Sequence, residues 1–249
     1  MHQNHISVIG KTLRTLIAIP AYNEQDNIAA TLRELVAAHI DADILVVDDG
    51  SIDNTYVVVT TEGIPIVRHP INLGYGVSVQ TAAKYAHEHN YSFLVWFDAD
   101  GQHVATEIAK LLECVWSGTA DVCIGSRFAC GYRMQLMRRM GSKVFSIMVK
   151  AFSGLSLRDV TSGFQALDQR AITLCCTDAF PCEYPDANLI LLYHLSGLRV
   201  VELPVKMRQR LVGSSMHGGW KSVFYIYYMC LSMTVMLLSL LTKKTCKQQ

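Results

Sequence analysis

The chain predicts an α/β fold: a mostly parallel central sheet flanked by helices, followed by a hydrophobic C-terminal helix. Three observations predict it. Short apolar runs that do not alternate in polarity recur between residues 15 and 124, as strands buried on both faces do. Segments with apolar residues three and four apart lie between those runs, the spacing of one helix face. Polar clusters follow three of the apolar runs, after Pro20, Val47 and Phe97, and ligands of parallel sheets collect at the carboxyl ends of the strands.

Residues 15–20 (TLIAIP) form the first predicted strand, ended by Pro20. Ile28, Leu32, Leu35 and Val36 then recur at helical spacing, with Glu24 and Asp26 in what would be the acidic first turn. A second strand, Asp43 to Val47, runs into Asp48-Asp49-Gly50-Ser51. Asp53 and Thr55 open a short segment of helical character, TYVVVTTEG. Ile64 to Val67 is a third strand, and Gly74 to His89 a helix entered through a glycine-containing loop. Phe93 to Phe97 is a continuous apolar strand that delivers Asp98-Ala99-Asp100-Gly101-Gln102-His103. A helix from about Val104 to Trp116 and a strand near Asp121 to Ile124 follow. Met134 to Phe152 has the pattern of an amphipathic helix, and residues 187–197 that of a helix ended by Gly197 before the strand RVVELPV.

Residues 222–241 are twenty residues without a charge, followed by Lys243, Lys244 and Lys247. At about 1.5 Å per residue such a helix reaches roughly the 30 Å of a bilayer core. A buried helix, or one that pairs two copies in a homo-oligomer, has the same composition. Membrane association is the favoured expectation, because a chain of this size has little core left to hide the segment. Basic residues flank it on both sides (Arg208, Arg210 and Lys221 before it), so charge does not choose between a span and a helix in the membrane plane.

Composition narrows the function classes. A net charge of +1 over 249 residues argues against nucleic acid as a partner, which calls for a basic excess. The eight cysteines include no C-x-x-C pair and are expected to be reduced apolar residues rather than zinc ligands or a disulfide framework. The first fourteen residues hold no apolar run long enough for a signal peptide, so the domain is expected to stay in the cytosol. The Gly-x-Gly-x-x-Gly of a dinucleotide fold and the phosphate loop of an NTPase are both missing from their expected places.

Asp98 and Asp100, one residue apart at the end of a buried strand, can share a divalent cation. Mg²⁺ or Mn²⁺ takes hard oxygen ligands, often only one or two of them from protein, and would neutralise a departing nucleoside diphosphate. A solvated acidic turn capping the next helix has the same sequence. The turn at 48–55 offers acids and hydroxyls to a base N–H or a ribose hydroxyl, and equally suits an Asx turn with Asp53 as helix cap.

Together, Pro20-Ala21-Tyr22-Asn23-Glu24, Asp48 to Thr55 (DDGSIDNT), Asn72-x-Gly74 and Asp98 to His103 (DADGQH) resemble the inverting family 2 glycosyltransferases of GT-A fold, in order and in spacing. The similarity runs from about residue 15 to 215. Gly125-Ser126-Arg127 and Asp159-x-Thr-Ser-Gly-Phe-Gln resemble landmarks of the branch that holds the polyprenyl-phosphate sugar transferases, dolichyl-phosphate mannose synthase among them. The resemblance implies a UDP- or GDP-linked sugar donor, a polyprenyl-phosphate or glycan acceptor, Mg²⁺ or Mn²⁺ as cofactor, and a place on the cytoplasmic face of a membrane. It divides the chain into an N-terminal extension (1–14), a GT-A domain (15–217) and a membrane-associated helix with a basic tail (218–249).

The same resemblance implies roles. Pro20, Tyr22, Glu24, Asp49 and Ser51 would hold the nucleotide, and Asp98 and Asp100 the metal, with Gln102 beside them. Arg127 would face a phosphate of donor or acceptor, with a surface Arg ending a strand as the plain alternative. Asp159 would orient the acceptor, or else cap a turn. Arg210 and Ser215 match a phosphate-contacting segment, although Met216 stands where the branch often has Lys. Asp186 falls where other family 2 enzymes place a catalytic base, a role needed only for a hydroxyl acceptor; a helix N-cap is its plain alternative. A non-catalytic, membrane-tethered partner of the same fold is the rival from another class, disfavoured by the intact Asp98/Asp100 pair.

Overall fold

The computed structural model describes residues 7–8, 11–128, 136–209 and 220–246. Arg210 and Ser215 lie outside the described residues. Two short strands, β1 (Ser7–Val8) and β2 (Lys11–Thr12), form an antiparallel pair ahead of the domain. The domain then runs β3 (Thr15–Ala21), α1 (Ile28–Ala37), β4 (Asp43–Asp48), α2 (Thr55–Thr61), β5 (Ile66–Arg68), α3 (Tyr75–Glu88) and β6 (Phe93–Trp96). A 3-10 turn at Ala105–Glu107 leads into α4 (Ile108–Trp116), then β7 (Val122–Ser126), α5 (Leu136–Ser153), β8 (Gln165–Asp168), α6 (Gln169–Cys175), α7 (Ala187–Leu195), β9 (Val200–Pro204) and α8 (Trp220–Cys246).

Seven strands form one sheet in the order β5-β4-β3-β6-β8-β7-β9. All neighbours are parallel except β8, which runs antiparallel to both β6 and β7. Strand β8 and α6 have no counterpart in the sequence reading: Gln-Ala-Leu-Asp offers only two apolar residues, too short a run to register as a strand. The central strands are buried on both faces. Leu16, Ala18, Leu94 and Trp96 face one core under α3, α5, α6 and α7, while Ile17, Ile19, Val95 and Phe97 face the other under α1 and α4. This double burial is why the strand sequences show no polar alternation.

The acidic first turn expected for the first helix is not there. The helix begins at Ile28, so Glu24 and Asp26 precede it, and the carbonyl of Glu24 accepts from the amides of Asn27 and Ile28. Asp53 stands one residue ahead of the α2 N-cap, Asn54; its carboxylate accepts from the Thr55 amide at 2.9 Å and the Thr55 hydroxyl at 2.6 Å.

The hydrophobic C-terminal segment forms a helix that is partly covered. Residues 222–241 fall within α8, which packs one face on the domain: Met229 and Met233 are fully buried, and Tyr225 and Cys230 sit against α5. Enough core therefore remains to cover part of the segment. Among the described residues no helix is long and apolar enough to cross a membrane.

At the end of the sheet away from the carboxyl termini of its parallel strands, Asp121 is buried and gathers Arg199 and Arg170. The Arg199 amide and Nη2 donate to it at 2.7 and 2.8 Å. Hydrogen bonds from Arg199 outweigh the burial and bring the Asp121 carboxyl down to about 2. A carboxyl depressed below its unfolded value of about 3.9 adds stability that is complete above that value and lost as pH falls toward 2. Asp121→Asn is thus expected to lower the melting temperature at neutral pH and to flatten the loss of stability between about pH 4 and 2; thermal melts across that range measure it.

Candidate functional site

The three polar clusters expected at strand ends do meet, and backbone-to-side-chain bonds lace the first two together. The amides of Asn23, Glu24 and Gln25, just past β3, donate to Ser51 Oγ (2.9 Å), Thr55 Oγ1 (2.8 Å) and Asp53 Oδ2 (3.2 Å). In return the amides of Ile52 and Asn54 donate to Asn23 Oδ1 and Gln25 Oε1, both at 3.0 Å. Asn23 makes its part possible by adopting φ +54°, a conformation asparagine tolerates better than most residues. Gly50 turns the second loop at φ +70°; a Cβ there would lie 2.5 Å from the backbone of Ile71, so only glycine fits.

Within this frame Pro20 is buried in β3, paired with Val47, while Tyr22 stands exposed at the lip. Glu24 accepts from Asn27 Nδ2 at 2.7 Å. Ser51 is buried, its hydroxyl engaged by the Asn23 amide. Asp49, expected at the nucleotide, is held from within the protein. Its carboxylate is buried and accepts from the amides of Leu73 (2.9 Å) and Gly74 (2.8 Å) and meets His69 Nδ1 at 2.7 Å. Asp49 therefore shapes the loop that launches α3, where unpaired amides would otherwise be costly.

Arg127 and Asp159 meet each other. Both are buried, and Arg127 grips Asp159 through Nε and Nη2, each at 2.7 Å, with its own amide donating to the same carboxylate at 3.0 Å. Nη2 also reaches the carbonyl and hydroxyl of Thr161 at 3.0 Å. A two-pronged buried pair of this kind stitches the end of β7 to the 159–163 loop. Arg208 is likewise committed, pairing with Glu34 at 2.6 Å, and its amide donates to the carbonyl of Gln102 at 2.8 Å.

Asp98 and Asp100 are both partly exposed. Asp100 accepts from the Gln102 amide at 3.0 Å. Tyr75, the first residue of α3, places its hydroxyl 3.3 Å from Asp98 Oδ1. Burial, and then the charges of Asp98, Asp186 and Asp100, push the Tyr75 phenol well above its ordinary value, so it stays a protonated donor. Pro185, the residue before Asp186, packs on the first turn of α3, where a Cβ at Gly76 would lie 3.0 Å from its ring. Asp186 occupies the N-cap position of α7 but makes no capping bond; Tyr225 of α8 donates to its Oδ2 at 2.5 Å. His103 is buried behind the pair, and burial lowers it to about 4, leaving a neutral ring. Tyr75 and His103 carried no assigned role in the sequence reading. Only His103 had a signal, its place in DADGQH.

These residues suit a divalent cation. Such a pair of hard carboxylates offers the oxygen ligands that Mg²⁺ or Mn²⁺ takes, alongside phosphate and water. Room is kept for them by Gly163: a Cβ at this position would lie 2.7 Å from the Tyr75 hydroxyl and 3.5 Å from Asp98 Oδ2.

The sequence pattern of glycosyl transferase family 2 matches residues 16–174, the stretch that carries both laced loops and the Asp98/Asp100 turn. The chain belongs to glycosyl transferase family 2. An undecaprenyl-phosphate mannosyltransferase of Micrococcus luteus is 32% identical to this glycosyltransferase over 218 residues, covering 83% of this chain and 89% of the relative. A polyprenol monophosphomannose synthase of Mycolicibacterium smegmatis is 28% identical over 224 residues, 86% of this chain and 84% of its own. The fold is shared with glucosyl-3-phosphoglycerate synthase of Mycobacterium tuberculosis, solved with Mn²⁺ and UDP-glucose (TM-score 0.70, 16% identity, 90% of this chain and 79% of that one). The GT-A arrangement expected from the motifs is therefore present in the glycosyltransferase.

Gly163→Ala is expected to fold at a cost of about 1–3 kcal/mol from overpacking, and to drive the Tyr75 hydroxyl off Asp98. Melting temperature and Mn²⁺ affinity in the presence of a nucleoside diphosphate read the two effects; unchanged affinity would contradict the assignment of Gly163 as the residue that keeps the space open.

Proposed function

We propose that this glycosyltransferase transfers a sugar, with inversion, from a UDP- or GDP-linked donor to a polyprenyl-phosphate carrier at the cytoplasmic face of a membrane. The observation that carries the donor half is the convergence of Asp98, Asp100 and the protonated Tyr75 hydroxyl at the carboxyl end of the sheet. The relatives, aligned over more than four-fifths of each chain and named for polyprenyl-linked acceptors, support the acceptor half. Mg²⁺ or Mn²⁺, when bound, supplies Lewis-acid neutralisation of the leaving diphosphate. Asp98 and Asp100 hold it, the Gln102 amide fixes the rotamer of Asp100, and Tyr22 and Glu24 border the nucleotide. Arg210 and Ser215 take the phosphate contacts in this reading. A phosphate acceptor is already an anion near neutral pH and attacks without a base.

Membrane docking falls to α8. Phe224, Tyr227, Leu231, Val235 and Leu238 are exposed and spaced three or four residues apart, so they line one stripe away from the packed Met229 and Met233. Such a helix suits the interface plane. Because Tyr225 of the same helix bonds Asp186, the cleft then opens close to the lipid.

A second reading is favoured by one feature: Pro185 packs on the first turn of α3, 3.0 Å from where a Gly76 Cβ would lie, which brings Asp186 beside Tyr75, where a base for a hydroxyl acceptor would stand. Asp186→Asn separates the two. With a phosphate acceptor the variant keeps most of its rate; with a hydroxyl acceptor it loses about 10²–10⁴-fold. The assay is transfer from radiolabelled UDP- and GDP-sugars in membrane fractions, scoring label extracted into organic solvent. Asp100→Ala is expected to abolish that label with the protein still folded, and wild-type rates in this variant would sink the proposal.

A further inference from the structure

We propose that Thr31 is a positioning residue for the cation site: its hydroxyl, reaching out of α1, sets the spacing of the Asp98 and Asp100 carboxylates by anchoring the peptide between them. The inference rests on the reading of Asp98 and Asp100 as the cation-holding pair. Thr31 stands out first by composition. The buried face of α1 consists of Ile28, Thr31, Leu32 and Leu35, so one hydroxyl lies on an otherwise apolar stripe. A buried hydroxyl has to be satisfied, and helical threonines often turn theirs back to the carbonyl four residues earlier. That carbonyl, of Asn27, lies 3.2 Å away but already accepts from the Thr31 amide at 3.1 Å. At 3.1 Å, across sixty-eight residues of sequence, lies the carbonyl of Ala99. Among the described residues the Thr31 hydroxyl is the donor that meets it.

Ala99 separates the two carboxylates. It is buried, in the core that also holds Phe97 and Ala105, while Asp98 and Asp100 are partly exposed. The carbonyl of Ala99 and the amide of Asp100 share one rigid plane, so a donor fixed on that carbonyl fixes the point from which Asp100 departs. The plane before Asp98 is fixed as well, by the Asp98 amide donating to His103 Nδ1 at 3.0 Å. Both carboxylates thus rise from peptide units pinned from behind. Helix α1 also holds the far end of the same turn: Glu34, one turn on from Thr31, accepts from the Ala105 amide at 3.0 Å and pairs with Arg208. A small divalent ion held by two carboxylates demands a defined separation between them. Thr31 supplies that definition without touching the ion and without adding charge.

Substitutions separate positioning from packing. Valine has nearly the shape of threonine but no hydroxyl, so Thr31→Val keeps the packing and removes the donor. Thr31→Ser keeps the donor and drops a methyl group. Ile28→Val trims the same buried face without touching Ala99. The purified full chain is titrated with Mn²⁺ in the presence of UDP and, separately, GDP, with free Mn²⁺ read by electron paramagnetic resonance and folding by thermal melting. Thr31→Val is expected to stay folded and to bind Mn²⁺ about 10-fold more weakly, the lower end of what partners of metal ligands carry. Thr31→Ser and Ile28→Val are expected to melt lower than wild type and to bind Mn²⁺ as it does. Wild-type affinity in a folded Thr31→Val overturns the proposal, and so does a Thr31→Ser or Ile28→Val that binds as weakly. If Thr31→Val fails to fold, Thr31→Ala is read in its place; failure of both makes the hydroxyl a requirement of folding and overturns the proposal too. Equal Mn²⁺ binding by wild type and Asp100→Ala is a separate result: it overturns the cation reading of the pair, and the role of Thr31 falls with it.

Discussion

A negative charge at the end of a buried strand has to be held by hydrogen-bond donors, and the site is organised around that constraint. Asp98 leaves β6 at the centre of the sheet, flanked by the Tyr75 hydroxyl and the His103 ring, both uncharged. Asp100 and Asp186 add like charge to the same cleft. Carboxylates at one strand end attract a cation or a cationic ligand, and the partly exposed faces of Asp98 and Asp100 leave it a way in. The close approach of Gly163 completes the arrangement, since any larger residue would displace the hydroxyl that orients the carboxylate.

Around this centre, most of the polar residues in the motifs hold loops rather than ligands. Asn23, Gln25, Ser51, Asp53 and Thr55 pair off across two loops nearly thirty residues apart in sequence. Asp49 fixes the turn into α3, and Arg127 with Asp159 fixes the loop that carries Gly163. Strand ends in a parallel sheet leave backbone amides without ladder partners, and buried amides must be satisfied. The motifs supply those acceptors, and the rigidity that follows lets a site made of loops keep its geometry.

The C-terminal helix joins the outside of the molecule to this centre. One face of α8 buries Met229 and Met233, and two side-chain bonds fasten it to α7: Tyr225 to Asp186, and Asn188 to Ser232 at 3.0 Å. The opposite stripe of Phe224, Tyr227, Leu231, Val235 and Leu238 is exposed. An apolar segment of twenty residues thus serves two surfaces at once, which composition alone cannot distinguish from a helix apolar all round.

The sequence by itself determined the α/β class, the strands from Thr15 to Ile124, and the meeting of the PAYNE, DDGSIDNT and DADGQH clusters at one end of the sheet. Those follow from local periodicity and from the direction of parallel strands, both legible in a linear chain. Strand β8 was not legible, because four residues with two apolar side chains carry no period; its place between β6 and β7 comes from pairing with distant neighbours. Only the tertiary structure decided which donor meets which carboxylate. Asp49, Arg127 and Asp159 had the right residue types and positions for ligand contact, yet each found a partner within the protein. Tyr75 and His103 became the neighbours of Asp98. Spacing places a side chain along its own element, whereas its partner is chosen by packing between elements remote in sequence.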